Sequence, residues 1–189
     1  MENILNVNCI QYLTLLIALC GIITAIIQLS KNNKSRIADF TDRLDSDFFT
    51  ENTRSVIELI DFKFLKFIEP KSEIDDPYFK IDKSGIEKME ERYFSVKEFA
   101  KKRNYEISTY EIDDYLLGHF EKIGLYGKKK IIDMQFLNEI FDYYIQLTFD
   151  DKEIQKYLTW IGKDVQDTNG YNNFIYIAQK LKKHGLNHK

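Results

Sequence analysis

Few residues in this chain combine a reactive type with a useful spacing. Of the three histidines, His119, His184 and His188, the last two stand four apart, a separation that places two imidazoles on one helical face for a metal ion. Gly185 breaks the helix between them close to the last residue, so they read as a solvated tail. His119, between Gly118 and Phe120, reads as a hydrogen-bonded packing residue rather than a general base. Asp113-Asp114 and Asp150-Asp151 are paired carboxylates, but adjacent residues on a helix do not face each other. Helix caps and solvated faces account for them. No P-loop, dinucleotide-binding fingerprint, zinc-protease, nucleophile-elbow or kinase motif occurs. The sequence therefore assigns no catalytic residue, no metal ligand and no cofactor, and the chain is not expected to be an enzyme.

Two basic runs, Lys101-Lys102-Arg103 and Lys128-Lys129-Lys130, are candidate contacts for anionic lipid headgroups or a phosphate-bearing ligand. Read otherwise they are solvated loops. Trp160 is the only tryptophan, with core packing as its default role.

The most informative spacing lies near the N-terminus. Gln11, Thr14, Ala18, Gly21, Ala25 and Gln28 follow one another at intervals of 3, 4, 3, 4 and 3. That heptad seam gathers nearly every small or polar residue of its segment, and the remaining positions are almost all Leu and Ile. In lipid, helices associate through small residues that allow close approach and polar residues that hydrogen-bond. A repeat of about 3.5 residues favours left-handed packing of several helices. The seam predicts a homo-oligomer. Gln11, Thr14 and Gln28 suit a narrow polar path, whereas Ala and Gly suit tight closure, so a pore and a sealed bundle both stay open.

The element that presents this seam carries no charge and no proline from Ile10 to Leu29. At about 1.5 Å per residue it is about 30 Å long, the thickness of a bilayer's hydrocarbon core. A cleaved signal peptide would bring a basic start and a small-residue cleavage site. Glu2 precedes the segment without any Lys or Arg, and Ile26-Ile27-Gln28-Leu29-Ser30 has no A-x-A pattern. Residues 10–30 are accordingly predicted to be a transmembrane helix. Lys31, Lys34 and Arg36 follow it directly, so the positive-inside rule puts the C-terminal domain in the cytosol and residues 1–9 outside, across the inner (cytoplasmic) membrane.

Beyond a juxtamembrane helix at 31–47, residues 48–189 have the size of one domain. Thirteen of the fourteen Phe lie there, ample for a core, and the net charge of −3 argues against general nucleic-acid binding. Cys9 and Cys20 fall in or beside the apolar segment and form no disulfide framework for the domain. Helical spacing runs from Phe48 to Ile68, where Pro70 ends it. A second helix spans Gly85 to Arg103. Ser108-Thr-Tyr-Glu111 has the form of a capping box opening a helix to about Ile123, with Gly124 and Gly127 punctuating its end. Asp133 caps Met134 to Thr148, Asp150 or Asp151 starts a helix to Ile161, and the last runs from Tyr171 to His184. No strand-type alternation persists, although short β-like pieces are possible near Lys80-Ile81 or Ile131-Ile132. The expected class is all-α: one N-terminal transmembrane helix followed by a cytosolic domain of about six helices.

From Asp113 onward, YLLGHFEKIGLYGKKKIIDMQFLNEIFDYYI gives a helix ending in F-E-x-I-G-L, a Gly/Lys turn, an I-D cap and a helix with paired aromatics. With the N-terminal membrane helix and a closing helix carrying Tyr171 and Phe174, this layout resembles the bacterial membrane-anchored family called domain of unknown function 4760. The resemblance implies no catalytic residue. Proteins of this layout occur as effectors in bacterial anti-phage systems, including abortive-infection types. The expected function is a membrane-anchored oligomeric effector in antiviral defence, whose cytosolic domain senses a protein or phosphate-bearing signal and controls an assembly that permeabilises the bilayer. The alternative is a membrane-tethered scaffold that concentrates a cytosolic partner.

Overall fold

The computed structural model describes residues 19–25, 27–29, 31–32, 35, 38–39, 42–44, 46–72, 75–164 and 170–186. The chain divides into two compact units, Met1–Leu44 and Asp45–Lys189. The described residues of the first are helical. Its Leu19, Ile22, Ile23, Ile27 and Leu29 are between 49% and 63% exposed. No helix among the described residues is long and apolar enough to cross a membrane. Residues 10–18, with Gln11, Thr14 and Ala18 of the seam, lie outside them, as does the tail at 1–9. The transmembrane reading thus rests on composition.

The second unit is mostly helical but contains a three-stranded antiparallel sheet, which corrects the all-α expectation. Helix α1 (Glu51–Asp61) is capped by Thr50, whose hydroxyl accepts from the Thr53 amide, and it buries Val56, Ile57, Leu59 and Ile60. It stops seven residues short of the expected Ile68. Lys63 takes the left-handed conformation (φ 59°). Its amide reaches the Ile60 carbonyl, and the Phe64 amide reaches Leu59. This is a Schellman stop with lysine where glycine is usual. The chain leaves it extended as β1 (Leu65–Ile68), paired with β2 (Tyr78–Ile81), which is flanked on its other side by β3 (Glu106–Ser108). Leu65 faces Ile81 and Phe67 faces Phe79, while Phe79 faces Ile107. All five are buried. Alternate residues Lys66, Lys80 and Glu106 point to the open face. At β1's outer edge the Phe67 amide donates to Glu153 Oε2 at 2.9 Å, so the edge is covered.

The expected helix from Gly85 to Arg103 is two: α2 (Lys83–Lys88) and α3 (Phe94–Lys102), joined through a 3-10 turn at Glu91–Tyr93. Lys97 Nζ donates to the Met89 carbonyl left free at the break, at 2.5 Å. The capping box at Ser108 and Glu111 forms as expected. It opens α4 (Thr109–Ile112), which passes through one π-helical turn (Asp113–Leu117) into α5 (Gly118–Lys128). Asp133 caps α6 (Met134–Ile140); at Phe141 the axis breaks, and α7 follows (Asp142–Phe149). Asp151 Oδ1 accepts from the amides of Glu153 and Ile154, capping α8 (Lys152–Asp164). The last helix, α9 (Asn172–Leu186), runs through Gly185 instead of ending before it.

Gly124 and Gly127 do not end a helix either; both lie within α5. A Cβ on Gly124 would stand 2.1 Å from the Asn173 carbonyl oxygen, so glycine here allows α5 and the start of α9 to touch backbone to backbone. The true stop is again a lysine, Lys130 (φ 55°), with Ile131 and Lys130 amides closing onto Tyr126 and Gly127. The core centres on Phe48, fully buried, whose ring meets Phe49, His119, Phe120, Phe141 and Tyr144 at centroid distances of 4.8 to 5.9 Å. A second aromatic group, Phe67, Phe79, Tyr157 and Trp160, fastens α8 to the sheet.

Candidate functional site

The short strands bring together lysines from separate segments. Lys66 on β1 and Lys80 on β2 are direct cross-strand partners. The pairing continues past the strand ends through the Asp82 amide, which donates to the Phe64 carbonyl at 2.8 Å. Lys63, in the left-handed helix stop, and Lys83, the first residue of α2, lie just past the ends of those strands. All four line one open groove of about 880 Å³, with Asn104 and Tyr105 on its far wall. Like charges facing across a sheet destabilise it by a few tenths to about 1 kcal/mol. Lys66 and Lys80 make no ion pair with any described residue.

The outer lysines are held loosely. Lys63 lies 3.5 Å from Asp151 Oδ2 with 63% of its side chain exposed. Lys83 lies 3.9 Å from Glu87 and 5.4 Å from the centre of the Tyr105 ring. The groove also holds three carboxylates, Asp82, Glu106 and Glu153. Asp82 accepts from the amide and hydroxyl of Ser84, which hold its carboxyl below the usual range. Glu153 takes the Phe67 amide on one oxygen and Lys156 on the other, the latter at 2.6 Å. Glu106, opposite Lys80 in register, offsets one lysine. What this arrangement can do chemically is bind an anion.

The residues singled out in the sequence are placed elsewhere. Arg103 is turned into the protein: its Nε donates to Glu111 Oε1 at 2.8 Å and its guanidinium lies 3.7 Å above the centre of the Phe99 ring. Lys101 leans on Glu98 at 3.7 Å, and Lys102 is exposed. Lys128, Lys129 and Lys130 are exposed around the α5 stop, with Lys128 over Tyr176 at 5.7 Å. Gly21, Ala25 and Gln28 of the seam are helical and exposed. His119 packs edge-on against Phe48, and burial, then Lys122, pushes its imidazole below its ordinary value. The side chains of His184 and His188 are outside the described residues. Among the described residues no group of three or more His, Cys, Asp or Glu is placed to hold a metal ion.

One buried polar cluster corrects the reading of Asp113 as a helix cap or solvated residue. Asp113, at the π-helical turn, accepts the Tyr157 hydroxyl on Oδ2 at 2.8 Å and is also hydrogen-bonded by Tyr171. Its Oδ1 is buried without a partner. Burial raises the carboxyl, and both tyrosine hydroxyls are pushed well above their ordinary range. Neither phenol gives up its proton near neutrality, so the cluster fastens Tyr171 and α8 to the π turn rather than moving protons. A second groove, of about 510 Å³, runs between Phe49, Arg54, Glu58, Asp61 and the pair Tyr143-Tyr144. Its two carboxylates outnumber its single cation.

No family model, curated protein or solved structure matches the chain.

Proposed function

We propose that this chain is a membrane-anchored effector that acts by assembling: residues 10–30 span the inner membrane, the stripe from Gln11 to Gln28 joins several copies, and the helical domain on the cytosolic side governs the assembly. One observation carries the reading. Leu19, Ile22, Ile23, Ile27 and Leu29, neighbours on one stretch of helical backbone, stand between 49% and 63% exposed, while the domain from Asp45 onward has a buried core of its own. Apolar surface left in water is unfavourable by roughly 25 cal/mol per Å², and a continuous patch of it marks a membrane or partner surface. The uncharged run that continues from Leu19 back to Ile10 makes lipid the solvent that suits it. Permeabilisation of the bilayer as an antiviral output follows from the family resemblance and from the polar members of the stripe.

The full chain expressed in bacteria should remain with membranes after alkaline carbonate extraction, and in detergent its mass should be a multiple of 22.5 kDa. A voltage-sensitive dye should report collapse of the membrane potential on expression. Gly21→Leu with Ala25→Leu should leave the chain in the membrane yet reduce it to a monomer and spare the potential. Extraction by carbonate would end the membrane reading. Persisting toxicity in the monomeric variant would end the assembly reading, and toxicity that survives exchange of the anchor for an unrelated membrane helix would favour the scaffold.

A further inference from the structure

We propose that the groove on the open face of the sheet, lined by the facing pair Lys66–Lys80 and by Lys63 and Lys83, binds a phosphate-bearing ligand. The geometry asks for an anion of high charge. Lys66 and Lys80 are directly opposed across β1 and β2, and Lys63 and Lys83, just past the ends of those strands, line the same groove. Four lysines thereby line one groove, and Lys66 and Lys80 have no ionic partner among the described residues. Such mutual repulsion is relieved by a ligand that places negative oxygens between them. Lysine serves a phosphate as a mobile point charge with three donors, and does not require the fork geometry that arginine brings to a carboxylate.

Two of the groove's three carboxylates are already engaged, Asp82 by Ser84 and Glu153 by Phe67 and Lys156. Glu153 is thereby partly neutralised by Lys156, and the four lysines still outnumber the groove's three carboxylates. The groove's volume of about 880 Å³ lies within the span of about 300–1,000 Å³ common for small-molecule sites. The wall formed by Tyr105 offers an aromatic surface to whatever carries the phosphate. A diphosphate-bearing small molecule and a phosphorylated lipid headgroup share this chemistry, and experiment separates them.

The full chain in mild detergent would be titrated calorimetrically with inorganic pyrophosphate at low salt. In a second arm it would be mixed with phosphatidylcholine vesicles with and without a phosphoinositide. Saturable binding is expected in at least one arm: pyrophosphate alone identifies a soluble ligand, the phosphoinositide vesicle alone a headgroup. Lys66→Gln with Lys80→Gln should weaken it at least about tenfold, as loss of two charge-assisted contacts implies. Lys101→Gln with Lys102→Gln and Lys128→Gln should leave it unchanged. Without ligand, the Lys66/Lys80 variant should melt no lower than the parent, because repulsion has been removed; this separates loss of a site from loss of the fold. Absence of saturable binding in both arms, or equal binding by that variant, would overturn the proposal. The pyrophosphate arm reads the groove whether or not residues 10–30 insert in lipid, so its failure is separate from failure of the membrane reading.

Discussion

Asp113 sits where the helix beginning at Thr109 widens into its π turn, with the Tyr157 hydroxyl on Oδ2, Tyr171 also bonded to the carboxyl, and Oδ1 buried. Burial raises the carboxyl above its unfolded value of 3.8 against the opposing pull of the two hydroxyls. The folded chain therefore holds this proton more tightly than the unfolded chain does. Its contribution to stability is full below the unfolded value and is lost as pH rises through the raised folded one. Asp113→Asn keeps an acceptor for the tyrosines and removes the charge. Compared with the parent, its urea midpoint should shift in favour of Asn as the pH is raised from about 3 to about 7. A midpoint difference that does not change with pH would show that the carboxyl is not displaced upward. Arg103 makes a related point: a cation expected in a ligand-binding run is instead paired with Glu111 and stacked on Phe99.

Among the elements, the junction of α5 and α9 is the most demanding. Glu121 on α5 accepts from the amides of Asn173 and Phe174, at 3.0 and 2.9 Å, and so caps α9 from outside. That bond pair needs the two helices in contact, which Gly124 permits. Gly124→Ala would drive a methyl against the Asn173 carbonyl, a backbone atom that cannot rotate away. The expected loss is about 3 kcal/mol, at the upper end of overpacking effects, read as a lower denaturant midpoint. Gly162→Ala, where an added Cβ meets nothing within 4 Å, should be neutral or slightly stabilising, because alanine is the better helix former. Equal effects at the two glycines would disprove the close-packing role of Gly124.

For the whole molecule, the division at Leu44 and Asp45 separates a helical segment with exposed Leu and Ile from a domain with its own aromatic core. The domain's largest buried side chains, Phe48, Phe79, Phe120, Phe141 and Phe174, all lie after the division. A chain starting at Asp45 should therefore melt in one cooperative transition, as single domains of this size do, and should not pellet with neutral-lipid vesicles. Calorimetry and flotation check the two halves of that statement. A broad, uncooperative melt would mean that residues 1–44 supply part of the core.

Local signals carried the starts of helices. Ser108 with Glu111, Asp133 and Asp151 cap where their types and offsets indicate, because a side chain accepting from an amide two or three residues on is decided within one turn. The apolar content was equally plain: a long uncharged N-terminal run, then aromatic residues enough for a core. Helix stops were not legible. Lys63, Asn104 and Lys130 take the left-handed position with no glycine to announce it, and the glycines expected to stop α5 serve contact between helices. The sheet was hidden for a similar reason. Strands of four, four and three residues are too short for alternation to stand out, and Phe64, Phe67 and Ile68 also fit the helical period running from Val56. The groove could not be read at all, since Lys66 is an ordinary surface lysine until β2 brings Lys80 opposite it. Side-chain type and near-neighbour spacing determined which segments are apolar, where helices begin and that no known catalytic motif is present. Strand register, an interaction between segments far apart in the chain, alone decided which charges face one another.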